Sequence, residues 1–301
     1  GDTFGAMSVG YVPEFFRKFK KQLFSTIQFP VPNEYRLPKG FTLSDYQNHC
    51  LEKIEKRFSK NNDIAAFIME SGAQMAGGVI IYPKDFQKKI RELCKKYDIL
   101  FVLDEIATGF GRLGSMVQYQ DQKSIPDIVA YGKMLTGGYL TMAATLANKK
   151  IYDSFSGEFN DWKHLFHGHT YTGNPIAAAV ANENLQMYKK YNLIKQVQKT
   201  SKIFEKYSQE ILDIDIVGDV RHKGMLMGIE LVSNKKKKTP IRTKKSINKV
   251  FFEEGKKQGI YLRTLGNIVM LVPPLSIQQN ELELLLKKTI KTIQAAKSKT
   301  F

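Results

Sequence analysis

An acid closes one short apolar run of this chain, and a lysine follows the next. Residues 99–103 are uniformly apolar and end at Asp104; residues 127–131 lead through Gly132 to Lys133. A third run, 64–69, ends at Glu70. Apolar runs of this length read as buried strands. In open α/β sheets, ligands bind beyond the carboxyl ends of the strands, where all three residues would sit. Lys133 lies in Tyr131-Gly132-Lys133-Met134-Leu135-Thr136-Gly137-Gly138. Glycines on both sides let the backbone turn tightly and let a bulky ligand approach. An acid and a lysine facing one pocket suit pyridoxal phosphate, which needs a lysine for its Schiff base and an acid at its pyridinium nitrogen. The same residues could equally be solvated surface charges, because a fold does not fix a function.

Several elements must position these residues. Residues 86–97 carry Phe86, Ile90, Leu93, Cys94 and Tyr97 at helical spacing between the first two strands, and 143–147 read as a fourth strand. This strand–helix–strand rhythm predicts a mainly parallel sheet covered on both faces. An alanine-rich helix begins at Pro175, runs to 188 and continues, with a break near Asn192, through Lys206. The texture then changes. Residues 214–220 and 224–232 read as strands with a turn around His222-Lys223. Residues 246–258 form an amphipathic helix stopped by Gly259, 260–263 and 268–272 flank a turn at Leu265-Gly266-Asn267, and 280–296 form a final helix. The expected organisation is a large α/β unit over 1–190 and a smaller α+β unit over 191–301.

Bulk properties narrow the function classes. The 301 residues are 43% hydrophobic and 25% charged, an ordinary globular balance with ample core. No apolar run reaches the roughly 18 residues a membrane span needs, so no membrane partner is expected. Cys50 and Cys94 form no CxxC or zinc pattern, and two isolated thiols suit a reducing cytoplasm. No metal site is expected. The net charge of +17 could mark a nucleic-acid binder, but the lysines are spread along exposed helix faces. The densest run, Lys235-Lys236-Lys237-Lys238, precedes Thr239-Pro240 and reads as a solvated loop without interleaved aromatics, so no nucleic-acid partner is expected.

Three blocks carry a family resemblance. Asp104-Glu105-Ile106-Ala107-Thr108-Gly109-Phe110-Gly111-Arg112, the Gly132-Lys133 segment, and His167-Gly168-His169-Thr170-Tyr171-Thr172-Gly173-Asn174-Pro175 together resemble the class III aminotransferases. The resemblance covers nearly the whole chain. It implies an aspartate-aminotransferase-like α/β fold (PLP fold type I), a pyridoxal 5'-phosphate cofactor, and a family N-terminal third that this chain is expected to lack. It assigns Lys133 to the cofactor's aldehyde and to proton transfer, Asp104 to the pyridine nitrogen, and Ile106 to the back of the ring. It further implies that Thr170, with His169 beside it, contacts the cofactor phosphate of a neighbouring subunit, so that a homodimer shares its active sites. Gly168 would lie against the substrate, and Arg263 would grip the carboxylate of a keto acid, for which its planar fork is suited. Arg112 is expected to anchor its loop. Glu70 matches a family acid, but Glu70-Ser71-Gly72-Ala73-Gln74 departs from the usual Glu-Pro, leaving it a supporting residue. Within the class, Ala107, the run 135–146 and the opening Gly1-Asp2-Thr3-Phe4-Gly5-Ala6-Met7-Ser8 resemble the branch acting on 8-amino-7-oxononanoate in biotin synthesis, with S-adenosylmethionine or lysine as amino donor. The competing readings are a sibling ω-aminotransferase, a chain inactive by itself, and a basic nucleic-acid binder.

Overall fold

The computed structural model describes residues 2–60, 63–241 and 246–300, and for 298–300 the backbone alone. Gly1 of the opening motif lies outside the described residues.

The first sheet has four strands: β1 (Ala66–Glu70), β2 (Leu100–Asp104), β3 (Ile128–Tyr131) and β4 (Ala144–Ala147), in that spatial order. β1 and β3 both run parallel to β2, and β4 closes the edge antiparallel to β3, so the sheet is mainly parallel as expected. Helix α1 (Leu43–Phe58) precedes the sheet, and α2 (Phe86–Lys96) connects β1 to β2. Phe101 and Leu103 are fully buried, together with Ile90 and Cys94 of α2. Leu100, Val102 and Asp104, on the opposite face of β2, are only half-buried, and Ile68, the register partner of Val102, is exposed. Burial among the described residues is therefore one-sided, where the uniformly apolar strands had suggested cover on both faces.

Helix α1 is not among the elements expected from periodicity, yet its start is well specified. The Thr42 hydroxyl accepts from the Asp45 amide at 3.2 Å, and the Asp45 carboxylate accepts from the Thr42 amide at 3.4 Å. Cys50, Leu51, Ile54 and Phe58 then form one buried stripe. Phe58 meets Phe29 and Phe67 edge to face. Replacing Thr42 with alanine removes one side of the box and should cost about 1 kcal/mol, read as a lower midpoint in urea denaturation with an unchanged slope.

Three helices follow: α3 (Pro175–Lys190), α4 (Leu193–Thr200) and α5 (Lys202–Leu212). The stretch breaks at Asn192, which is left-handed at φ 50°, and again at Ser201. The second sheet is antiparallel throughout: β5 (Val217–Lys223), β6 (Leu226–Asn234), β7 (Arg263–Leu265) and β8 (Ile268–Leu271), in the order β7-β8-β6-β5, with the short strand Thr239–Pro240 also pairing β6. His222 and Lys223 belong to β5, and the turn lies at Gly224-Met225, two residues beyond the expected place. Helix α6 (Ile247–Lys257) ends before Gly259, left-handed at φ 71°, as expected. The final helix, α7 (Gln279–Thr300), contributes Leu282, Leu286, Ile290 and Ile293 to a core shared with Phe204 and Ile211 of α5. No helix among the described residues is long and apolar enough to cross a membrane.

Candidate active site

Glu70 and Asp104 end adjacent parallel strands and are register partners, so their side chains leave the same face of the sheet. Asp104 also lies opposite Ala130, and Lys133 follows three residues later. The three charged residues singled out from the sequence thus come together at the carboxyl edge. Asp104 is half-buried, and its Oδ1 accepts from the Ile106 amide at 2.8 Å, which fixes the carboxylate at the start of the loop. Glu70 Oε2 accepts from the Met75 amide at 3.0 Å. Loss of solvation raises the Glu70 acid from 4.5 to about 7; the Met75 amide opposes that, Asp104 adds to it, and Lys133 lowers it. The folded protein therefore holds this proton more tightly than the unfolded chain does. The contribution of Glu70 to stability declines as pH rises from about 4.5 to about 7.

Lys133 opens a single 3-10 turn (Lys133–Thr136) with its own backbone left-handed at φ 44°. A side chain in that region costs on the order of 1 kcal/mol, and such residues cluster at functional sites. The turn is held from outside. Asn184 of α3 donates from Nδ2 to the carbonyls of Met134 (2.7 Å) and Leu135 (3.1 Å). Arg112 is buried and donates from Nη1 to the carbonyls of Met225 (2.8 Å) and Pro273 (2.7 Å), while Nη2 approaches Met134 Sδ at 3.6 Å. Arg112 thereby ties the loop after Asp104, the Lys133 turn and the second sheet together, the anchoring role expected of it. Burial lowers its guanidinium to about 10. Ile106 packs over Gly132: a Cβ there would stand 3.3 Å from its Cγ2.

Other expected residues stand apart. Gly168, His169 and Thr170 lie in an exposed segment with local bonds: the His169 amide donates to Thr172 Oγ1 at 2.9 Å, and His169 Nδ1 accepts from the Tyr171 amide at 3.1 Å. Arg263 is exposed at the start of β7, opposite Met270. Among the described residues, no hydrogen bond or ion pair joins these four to Lys133 or Asp104, and no His, Cys, Asp and Glu cluster could hold a metal ion.

Glu105 and Asn184 hold the site's surroundings without being expected from the sequence. Glu105 is fully buried and accepts from the Gln118 (2.9 Å) and Tyr119 (2.7 Å) amides. Burial raises its acid, and those hydrogen bonds oppose the rise. The signal was present, because consecutive residues at a strand end point to opposite faces: Asp104 outward, Glu105 inward. Asn184 was hidden inside an alanine-rich helix.

Comparison with known proteins identifies the family. The family model for class III aminotransferases matches residues 1–293. The adenosylmethionine-8-amino-7-oxononanoate aminotransferase of Geobacter sulfurreducens is 38% identical over 97% of this chain and 66% of its own length. The crystal structure of the enzyme of that name from Methanocaldococcus jannaschii superposes with a TM-score of 0.86 at 37% identity, covering 98% of this chain and 66% of that one. An omega transaminase from Pseudomonas jessenii, solved in complex with PMP, superposes with a TM-score of 0.93 at 28% identity, covering 100% of this chain and 67% of that one. The chain spans about two-thirds of the length of the curated relatives it matches. By its motifs, its fold and a family match over nearly its whole length, this chain belongs to the class III aminotransferases.

Proposed function

We propose that the protein is a pyridoxal-phosphate-dependent aminotransferase converting 8-amino-7-oxononanoate to 7,8-diaminononanoate in biotin synthesis, with S-adenosylmethionine as amino donor. The observation that carries this reading is the juxtaposition of Glu70, Asp104 and a left-handed Lys133 at one sheet edge. The names of the relatives at 38% and 40% identity support the substrate. The residues fit the cofactor: Asp104 offers a fixed carboxylate, Lys133 an exposed amine, and the side-chain-free Gly132 leaves Ile106 as an apolar wall.

When bound, pyridoxal phosphate supplies an electron sink for the carbon that loses its proton. The Asp104 carboxylate holds a proton at the ring nitrogen by charge attraction. Lys133 would hold the cofactor through its Nζ and, when that amine is free, would carry the proton at the reacting carbon, a task for which a neutral amine is nucleophilic and basic enough. Arg263 takes the substrate carboxylate, Gly168 makes room for the substrate, and His169 with Thr170 serves the phosphate of a partner subunit. The dimer reading is supported by exposed Phe159, Trp162, Leu165, Phe166 and Tyr171 beside those residues, an apolar surface that a monomer rarely shows. The same reading divides the chain near residue 190 and places the protein in the cytoplasm.

Incubating the purified protein with pyridoxal phosphate, reducing with borohydride and mapping peptides should place the label on Lys133. Incubation with 8-amino-7-oxononanoate and S-adenosylmethionine should yield the diamine. Labelling scattered over surface lysines, with Lys133 unmodified, would sink the assignment.

A further inference from the structure

Glu70 has no assigned task, yet it shares a sheet face and a register position with Asp104. Neighbouring strands lie about 4.8 Å apart, so two carboxylates at matched positions on one face interact as like charges. The groups that face Glu70 are Asp104 on β2, the Lys133 ammonium beyond β3, the Met75 and Ala76 amides, and the buried phenol of Tyr82. One nearby cation therefore faces two acids, an arrangement that favours a proton on one of them. Each carboxylate accepts from a backbone amide, Asp104 from Ile106 at the loop entrance and Glu70 from Met75, and loss of solvation acts most strongly on Glu70.

Resting on the cofactor reading above, we propose that Glu70 is a positioning residue of the cofactor site, a second carboxyl that releases its proton to water when a cation seats against Asp104 and regains it when that cation leaves. Counted over Glu70, Asp104, the unbonded Lys133 amine and the seated cation alone, the net charge is then the same with the cation present or absent. Burial supports the assignment by holding the Glu70 proton into the neutral range. A pyridinium beside Asp104 offsets the repulsion that keeps Glu70 protonated and so favours its ionisation.

The test is infrared difference spectroscopy of the carboxyl stretch, wild type minus Glu70→Gln, across pH. The Glu70 band should titrate near pH 7 in the ligand-free protein. Its midpoint should rise by about one pH unit in Lys133→Ala and fall by about one unit in Asp104→Asn. Saturating pyridoxamine phosphate, which leaves the Lys133 amine unbonded, should lower the midpoint of the wild type by a similar amount. Circular dichroism of each variant controls for folding. Bound pyridoxamine phosphate with an unmoved Glu70 midpoint, or a midpoint indifferent to Asp104→Asn, overturns this proposal alone. Failure of pyridoxamine phosphate to bind, with Lys133 unlabelled by borohydride, overturns the cofactor reading instead.

Discussion

Replacing Lys133 with alanine should reduce transamination by more than about 10^3-fold while leaving the fold in place. The loss combines the covalent role of the amine with its proton transfer, and a positioned acid–base group alone is worth roughly 10^2- to 10^4-fold. The fold should tolerate the change because Lys133 is exposed, and the left-handed φ of 44° is no worse for alanine than for lysine. Stability should shift by no more than about 0.5 kcal/mol, the usual range for an exposed substitution. The bonds that hold the turn, from Asn184 and Arg112, involve the backbone of Met134 and Leu135 and the Met134 sulfur, so they survive. The variant should therefore still bind pyridoxamine phosphate, since Asp104 and Ile106 stay where they are. Steady-state kinetics, denaturation and binding of the amine form separate these outcomes. Activity within tenfold of the wild type would remove Lys133 from the chemistry, whereas a large fall in stability would show that its side chain is structural.

The candidate site residues differ in how far the sequence points to them. Asp104 and Lys133 were legible because strand ends can be read locally: an apolar run stops, and the next charged residue lies at the sheet edge. Glu70 was equally legible by position, but its partnership with Asp104 depends on strand register, which no local pattern encodes. Gly168, His169, Thr170 and Arg263 are assigned only through family resemblance, because the exposed 168–172 segment makes local bonds that any turn could make and Arg263 is an exposed strand residue. The misplaced turn of the second sheet has a specific cause. Arg221-His222-Lys223 is polar enough to suggest a loop, yet Arg221 is a strand residue whose charge is satisfied at long range. Its Nη1 binds Glu230 across the ladder at 2.9 Å and Asp219 at 2.6 Å, and its Nε reaches the Val79 carbonyl at 2.7 Å. Glu230 is almost fully buried and also receives Arg36 Nε at 2.9 Å, from a residue nearly two hundred positions away. Such ionic pairing makes a polar run suitable for a strand, and it is invisible until the chain is folded.

The true turn makes Gly224 the most demanding glycine of the second sheet. Gly224→Ala should destabilise the protein by roughly 3–5 kcal/mol, in the exceptional tail for single substitutions. Two effects combine. Its φ of +54° imposes a cost of about 1–2 kcal/mol on any side chain. A Cβ there would also stand 2.4 Å from the Leu113 carbonyl carbon, 2.6 Å from the Arg112 oxygen and 2.6 Å from the Gly114 nitrogen. These are backbone atoms and cannot swing aside, so the hairpin or the 112–114 loop must move. Gly266 supplies the control. It sits at φ +57°, nearly the same angle, with open space where its Cβ would be. Gly266→Ala should therefore cost only the conformational part, about 1–2 kcal/mol. The difference between the two variants in urea midpoint isolates the backbone approach, and equal losses would mean that the approach is not present in solution. The consequence should reach the candidate site, because the displaced loop carries Arg112, whose bonds to Met225 and Pro273 and contact with Met134 link the second sheet to the Lys133 turn. Gly224→Ala should accordingly weaken pyridoxamine phosphate binding at temperatures where the variant is still folded, and Gly266→Ala should not.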